Sequence, residues 1–198
     1  MNGIIAAAFT ISYLFISILR CRRYKLQIKD LTMCAIACAL TIVLSYFYIP
    51  LPTGATVSLG SCIPILILAM VFDGQLAMIA GWAAGFLCLF LVPSWQPVHW
   101  ALFFTEHMIC FSCLGYVTIF GTQSKIRIYA GMLTAFGLKL AAHILSGVVF
   151  YSTNAWDGWG AWVYSLSYNV SFWLPEMILT ALILHFVPWK SLKMALRK

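Results

Sequence analysis

Residues 139–176 read KLAAHILSGVVFYSTNAWDGWGAWVYSLSYNVSFWLPE, and the rest of the chain is organised around this stretch. It predicts two apolar helices joined by a loop rich in Trp and Gly. Lys139 and His143 lie one turn apart on the first helix, so they project from the same face. Asn169 and Glu176 lie on the second helix. Because polar groups in apolar helices cost free energy unless they are satisfied, we expect a shared polar site that the Trp-rich loop covers.

The composition indicates an integral membrane protein. Of the 198 residues, 63% are hydrophobic and only 9% are charged, whereas soluble domains are about half apolar and a quarter charged. This length allows about six spans of ~20 residues joined by short loops. The sequence has no GxxxxGK[ST] pattern, so any energy from ATP must come from another chain. The net charge of +7 does not indicate nucleic-acid binding, since the basic residues lie at the ends of apolar runs.

The apolar runs predict an all-α membrane protein with a six-helix core and one extra N-terminal apolar helix. Residues 1–30 contain this extra helix and a basic linker, and residues 31–198 form the six-span membrane domain. The six spans are expected at about residues 31–48, 59–72, 76–92, 98–120, 128–150 and 164–188, with loops at 49–58, 93–97 and 151–162 and short turns at 73–75 and 121–127.

The basic residues predict the orientation of the chain in the membrane. Every Lys and Arg except Lys139 lies in residues 20–29, 125–127 or 190–198. With six spans counted from Leu31, these segments fall on one side, and the three longer loops, which carry no basic residue, fall on the other. The positive-inside rule then places the C-terminus in the cytoplasm and the Trp-rich loop outside.

Five polar residues inside the apolar runs are candidate site residues. Glu106 is an intramembrane carboxylate, which predicts a functional site; its alternative role is a structural pair with Lys139. We expect Lys139 to neutralise a carboxylate. His143 is expected either to contact a ligand or to bond a backbone carbonyl. Tyr164 and Asn169 either bind a ligand or hold helices together.

Two further patterns concern packing and chemistry. Small residues four positions apart, Ala35 with Ala39 and Gly81 with Gly85, predict faces where helices approach closely. The CxxC that begins at Cys110 has no second ligand pair, so no metal site is predicted. No HExxH or GxSxG motif is present, and no catalytic residue is assigned. A pocket with aromatic rings and one carboxylate suits a small aromatic ligand and would favour a cation.

Three stretches resemble the thiamine-specific S components (ThiT) of energy-coupling factor (ECF) transporters. Residues 143–151, HILSGVVFY, are similar to the family's His…Gly-[VI]-[VI]-Phe-Trp segment. Residues 154–169, NAWDGWGAWVYSLSYN, are close to its AWxGWGAxxYSLxxN signature. Glu106 stands where the family has a glutamate followed by an aromatic residue. The resemblance covers about residues 31–190 and makes residues 31–198 the expected substrate-binding domain.

The resemblance also implies roles for individual residues. Tyr151 takes the place of a family tryptophan, and His107 stands where the family commonly has tyrosine. Trp95 is the candidate for the aromatic residue ahead of the fourth span. The AxxxA pattern resembles the motif that packs on the coupling subunit, so Ala35 and Ala39 would form the partner interface. The residues expected to contact thiamine are Glu106, His107, His143, Tyr151, Tyr164, Asn169 and Trp95.

By this resemblance, the chain would capture thiamine at the outer face of the bacterial plasma membrane. Delivery would require a coupling membrane subunit and two ATPase subunits on other chains. No cofactor, nucleic acid or enzymatic activity is expected. The alternatives are an S component for a related pyrimidine or another vitamin, and a small membrane enzyme or scaffold. Tight, stoichiometric thiamine binding without turnover would distinguish these classes.

Overall fold

The chain folds into long apolar helices packed around two shorter, irregular segments. The computed structural model describes residues 1–92 and 98–196, so Trp95 lies outside the described residues. Strands β1 (Tyr48–Pro50) and β2 (Thr56–Ser58) pair as an antiparallel hairpin. The α-helices are α1 (Asn2–Cys21), α2 (Ile28–Ser45), α3 (Ile63–Val71), α4 (Gly74–Leu91), α5 (Cys110–Ser112), α6 (Lys125–Phe150), α7 (Ala161–Phe186) and α8 (Trp189–Leu196).

The predicted all-α membrane fold is confirmed, with local differences. Within the described ranges, five helices are long and apolar enough to cross a membrane: α1, α2, α4, α6 and α7. The predicted second span is shorter than expected, because α3 has only nine residues, or about 14 Å. Gly60 turns the chain with φ of 110°, and Pro64 favours a helix start at this point. The predicted loop at 49–58 contains the β1–β2 hairpin.

The predicted fourth span is helical, but it changes its helix type along its length. A π-helix, Phe103–Ile109, is followed by the short α5 and by a 3₁₀-helix, Cys113–Thr118. We call residues 103–118 the mixed helix. Carbonyl groups lose their regular partners where the helix type changes, and side chains can replace those partners. Ser112 does so here, because its hydroxyl donates to the Met108 carbonyl oxygen at 2.6 Å.

The close-packing face predicted on α4 lies against the mixed helix. A Cβ atom on Gly81 would collide with the backbone of Phe111 and Ser112, and one on Gly85 would collide with the backbone of His107. Glycine at both positions therefore lets the two backbones touch. Asp73, at the predicted turn, caps α4 by accepting a hydrogen bond from the Gln75 amide at 2.6 Å.

Helices α6 and α7 are antiparallel and form the other side of the core. Gly147 of α6 meets the side chain of Ser165 of α7, so the helices are close at this level. Farther along the pair, the Trp173 indole donates to the Phe136 carbonyl oxygen at 2.6 Å. The β1–β2 hairpin packs on α7. These contacts leave a space bounded by α6, α7, the mixed helix and the hairpin.

Candidate ligand-binding site

A cavity of about 410 Å³ lies in this space. Its volume falls in the range of pockets that hold small organic ligands, roughly 300–1,000 Å³. The hairpin and the start of the 151–162 loop line one part of it, and these loops carry no basic residue. Its wall combines aromatic rings with the carboxylates Glu106 and Glu176.

Glu106 is presented to the cavity by the π-helix. One oxygen of its carboxylate accepts a hydrogen bond from the Ser146 hydroxyl of α6 at 2.6 Å. The alternative pairing of Glu106 with Lys139 is wrong, because Lys139 contacts another carboxylate. π-Helical turns are frequent at functional sites, since the wider turn redirects side chains. Glu106 therefore offers a positioned carboxylate beside the aromatic rings of the wall.

His143 lies on α6 three residues before Ser146, about one helical turn deeper in the cavity. Its Nε2 is 3.2 Å from the Cys110 thiol, and its ring meets the Phe172 ring edge-on with centroids 5.4 Å apart. Neighbouring Asn169 donates from its amide nitrogen to the Ser165 carbonyl oxygen at 2.7 Å and to the His143 carbonyl oxygen at 3.3 Å. The α6–α7 backbone thus fixes the amide nitrogen, which leaves the side-chain oxygen as the group that can accept a bond from a ligand.

Aromatic residues of α7 form a continuous wall beside these polar groups. Tyr164 and Tyr168 have ring centroids 5.8 Å apart, and Tyr168 meets Phe172 at 6.2 Å. Tyr151 ends α6 and faces the same cavity. Ring faces attract cations, so the wall complements the Glu106 charge.

The Trp-rich loop supports this wall from outside. Trp156 packs edge-on against Tyr164, with centroids 5.3 Å apart, and against Trp159 at 4.9 Å. Both indoles are partly exposed, and neither lines the cavity. The loop therefore reaches the cavity through Tyr151 and Asn154 at its start, which line it, while Trp156 contacts the wall at Tyr164.

An ion pair lies at the deep end of the cavity. The Lys139 ammonium donates to Glu176 at 2.5 Å, and the other Glu176 oxygen accepts from the Ser58 hydroxyl at 2.6 Å. Ser58 also bonds Ser61 at 2.7 Å. Lys139 thus neutralises a carboxylate, as expected. Ser146, which bonds Glu106, is seven residues from Lys139 on α6. Measured along the helix axis, the Glu106 contact therefore lies about 10 Å from this ion pair.

The structure brings six of the seven predicted contact residues to one cavity: Glu106, His107, His143, Tyr151, Tyr164 and Asn169. Trp95 falls among the residues that the structure does not describe. Sequence reasoning missed Ser58 and Tyr168 as lining residues, and it missed Ser146 as the hydrogen-bond partner of Glu106. Ser146 carried a usable signal, because it lies three residues after His143 on the same helix face. Ser58 gave no such signal, because serine is common in loops.

The predicted partner face lies away from the cavity. Ala35 and Ala39 are both exposed on α2, whereas Ala37 and Cys38 are buried against the core. The two alanines thus form a flat strip on the outer surface of the helix.

No group of three or more His, Cys, Asp or Glu residues suited to a metal ion occurs in the part of the chain that the structure describes. All seven cysteines are free and buried.

Three comparisons with known proteins bear on this site. The family model of the thiamine transporter proteins (Thia_YuaJ) matches residues 31–196. The thiamine transporter ThiT of Bacillus subtilis (strain 168) is 21% identical over 170 residues, which cover 80% of this chain and 88% of the relative. The solved structure of ThiT from Listeria monocytogenes has a TM-score of 0.71 at 22% identity, covers 85% of this chain and 93% of its own, and has the same fold. The chain therefore belongs to the thiamine transporter protein family, whose members are transporters and not enzymes.

Proposed function

We propose that this chain binds thiamine at the outer face of the membrane and releases it inward with the help of partner subunits. The observation that carries this proposal is the Glu106 carboxylate, held by Ser146 in a cavity with an aromatic wall. Thiamine has a fixed positive charge on its thiazolium ring, and a buried carboxylate stabilises such a cation strongly. Tyr151 and Tyr168 offer ring faces to the same cation.

The remaining polar groups suit the aminopyrimidine ring of thiamine. This ring carries both hydrogen-bond donors and acceptors. The Asn169 side-chain oxygen can accept from its amino group, and the Tyr164 hydroxyl can donate to a ring nitrogen. His143 adds a ring that can stack on the ligand. The cavity volume of about 410 Å³ leaves room for a molecule with two small rings.

Transport is proposed to require a coupling membrane subunit and two ATPases of the ECF type. The sequence lacks a nucleotide-binding motif, and the exposed Ala35–Ala39 strip gives another helix a flat surface for close approach. In this proposal, residues 31–198 are the substrate-binding domain, and residues 1–30 are an accessory segment. The protein lies in the plasma membrane with its C-terminus in the cytoplasm.

The test uses Glu106→Gln and two ligands, with the purified protein and titration of tryptophan fluorescence. Losing one partner of a buried charge pair costs about 2–5 kcal/mol, so thiamine should bind about 30-fold or more weakly. The second ligand is a neutral thiamine analogue with thiophene in place of thiazolium. Its affinity should change little, because it presents no charge to residue 106.

Asp73→Asn is the control, since it removes a carboxylate that caps α4 and does not line the cavity. It should bind thiamine as the parent does. Equal thiamine affinity of Glu106→Gln and the parent would contradict the proposed role of Glu106. A parent protein that does not bind thiamine at all would contradict the proposed function.

A further inference from the structure

Helix α1 lies outside the residues that match the family, yet it packs directly on the segment that carries Glu106. The family match begins at residue 31, whereas α1 ends at Cys21. Contacts of α1 reach α4, α6 and the π-helix. The cluster around it joins Tyr13 and Cys21 to buried residues of the mixed helix, Ile109, Cys110 and Tyr116.

A buried hydrogen bond connects α1 to the mixed helix. The Tyr13 hydroxyl lies 2.8 Å from the Ser112 hydroxyl, and the Tyr13 side chain is buried within an apolar face. Ser112 has a single hydroxyl hydrogen, which it directs to the Met108 carbonyl oxygen at 2.6 Å. Tyr13 is therefore the donor in the pair. A buried hydroxyl pair of this kind is costly to break, because each group would lose its partner away from water.

The contact occurs where the helix type changes. Met108 belongs to the π-helix and follows Glu106 by two residues, while Ser112 belongs to α5. The bond from Tyr13 fixes Ser112, which in turn holds the Met108 carbonyl. Additional contacts lie along the same side: the Arg20 guanidinium sits 4.9 Å from the centre of the Tyr116 ring, and Tyr13 meets Tyr116 at 6.1 Å.

We propose that α1 is a positioning element for the ligand site, and that Tyr13 acts through Ser112 to hold the π-helix that aims Glu106. This inference rests on the proposed function only for its choice of ligand. α4 supports the π-helix through the backbone contact at Gly85, and α6 supports it through Ser146. Tyr13 supplies a third support, from α1 through Ser112.

The test is a double-mutant cycle between Tyr13→Phe and Glu106→Gln, read out by thiamine affinity. Loss of the hydroxyl should weaken thiamine binding about threefold to tenfold in the parent. In the Glu106→Gln background the same change should cost less than about twofold, because the carboxylate that it positions is absent. Equal losses in both backgrounds, or no loss in the parent, would overturn the proposal.

Tyr129→Phe is the matched control. The Tyr129 hydroxyl also makes a short hydrogen bond, 2.7 Å to His185, but this bond is exposed and lies near the start of α6, outside the cavity wall. Its removal should leave thiamine affinity unchanged. Ser112→Ala removes both the α1 contact and the bond to the Met108 carbonyl oxygen, so it should weaken thiamine binding at least as much as Tyr13→Phe.

A measurement without ligand separates this inference from the proposed function. Hydrogen–deuterium exchange of the peptide covering residues 103–109 should be faster in Tyr13→Phe than in the parent, and unchanged in Tyr129→Phe. Unchanged exchange in Tyr13→Phe would refute the positioning role, even if thiamine binds. Faster exchange in a protein that does not bind thiamine would support the positioning role and refute only the thiamine proposal.

Discussion

Two glutamates lie within the apolar helices of this chain, and their neighbours give them different properties. Glu176 is paired with Lys139 and bonded to Ser58, so its charge is balanced inside the protein. Glu106 is bonded to the neutral hydroxyl of Ser146, so its carboxylate faces the cavity without a cationic partner among its described contacts. A ligand cation can supply that partner, which is the physical reason for assigning the charge-binding role to Glu106.

The Lys139–Glu176 pair leads to a prediction about stability. Removing one partner of a buried ion pair leaves an uncompensated charge and costs about 3–5 kcal/mol. Lys139→Met should therefore lower the thermal unfolding temperature in detergent by several degrees. Adding Glu176→Gln should recover most of this loss, because glutamine is neutral and can still accept the Ser58 hydrogen bond. If the double variant is as unstable as Lys139→Met alone, the pair does not act through its charge.

Individual polar residues could be found in the sequence, but their partners could not. Glu106, His143 and Asn169 stand out because each is polar within an apolar run. The assignment of Lys139 to Glu176 depends on how α6 and α7 are aligned, and helix periodicity does not fix that alignment. Backbone contacts such as the one from Asn169 to His143 are likewise decided by the tertiary packing.

At the level of elements, the long helices were predictable and the irregular ones were not. An apolar run shows that a segment is buried in lipid or protein. The number of residues in the run does not reveal whether the segment forms α, π or 3₁₀ turns. The mixed helix meets α4 at Gly81 and Gly85, and it meets α1 at Tyr13. Those approaches involve residues far apart in sequence, so no local pattern reports them.

The prediction about partner subunits concerns helix α2. Ala35 and Ala39 are exposed and form no part of the cavity wall. Replacing either with Trp should obstruct close approach of a coupling subunit, so thiamine uptake by cells should fall strongly. Thiamine binding by the isolated protein should remain at the parent level. Ile36→Trp, on an exposed position of the same helix, is the control for a bulky residue. Loss of both binding and uptake in the alanine variants would identify internal packing instead.

At the scale of the whole molecule, the cavity and the basic segments lie at opposite ends. The cavity is lined in part by the hairpin and by the segment after α6, and neither contains Lys or Arg. The turn before α6 contains Lys125 and Arg127, and α8 contains Lys193. Charge asymmetry and site position are independent observations, and together they favour a cavity that opens to the outside.

This orientation gives the last prediction. Asp157 is exposed in the Trp-rich loop, and Ser124 is exposed at the start of α6. In intact cells, Asp157→Cys should react with a membrane-impermeant thiol reagent, whereas Ser124→Cys should react only after the membrane is opened. The parent protein is the unlabelled control, because its seven native cysteines are buried. Labelling of Ser124→Cys in intact cells, with protection of Asp157→Cys, would place the cavity on the cytoplasmic side and exclude capture of ligand from outside.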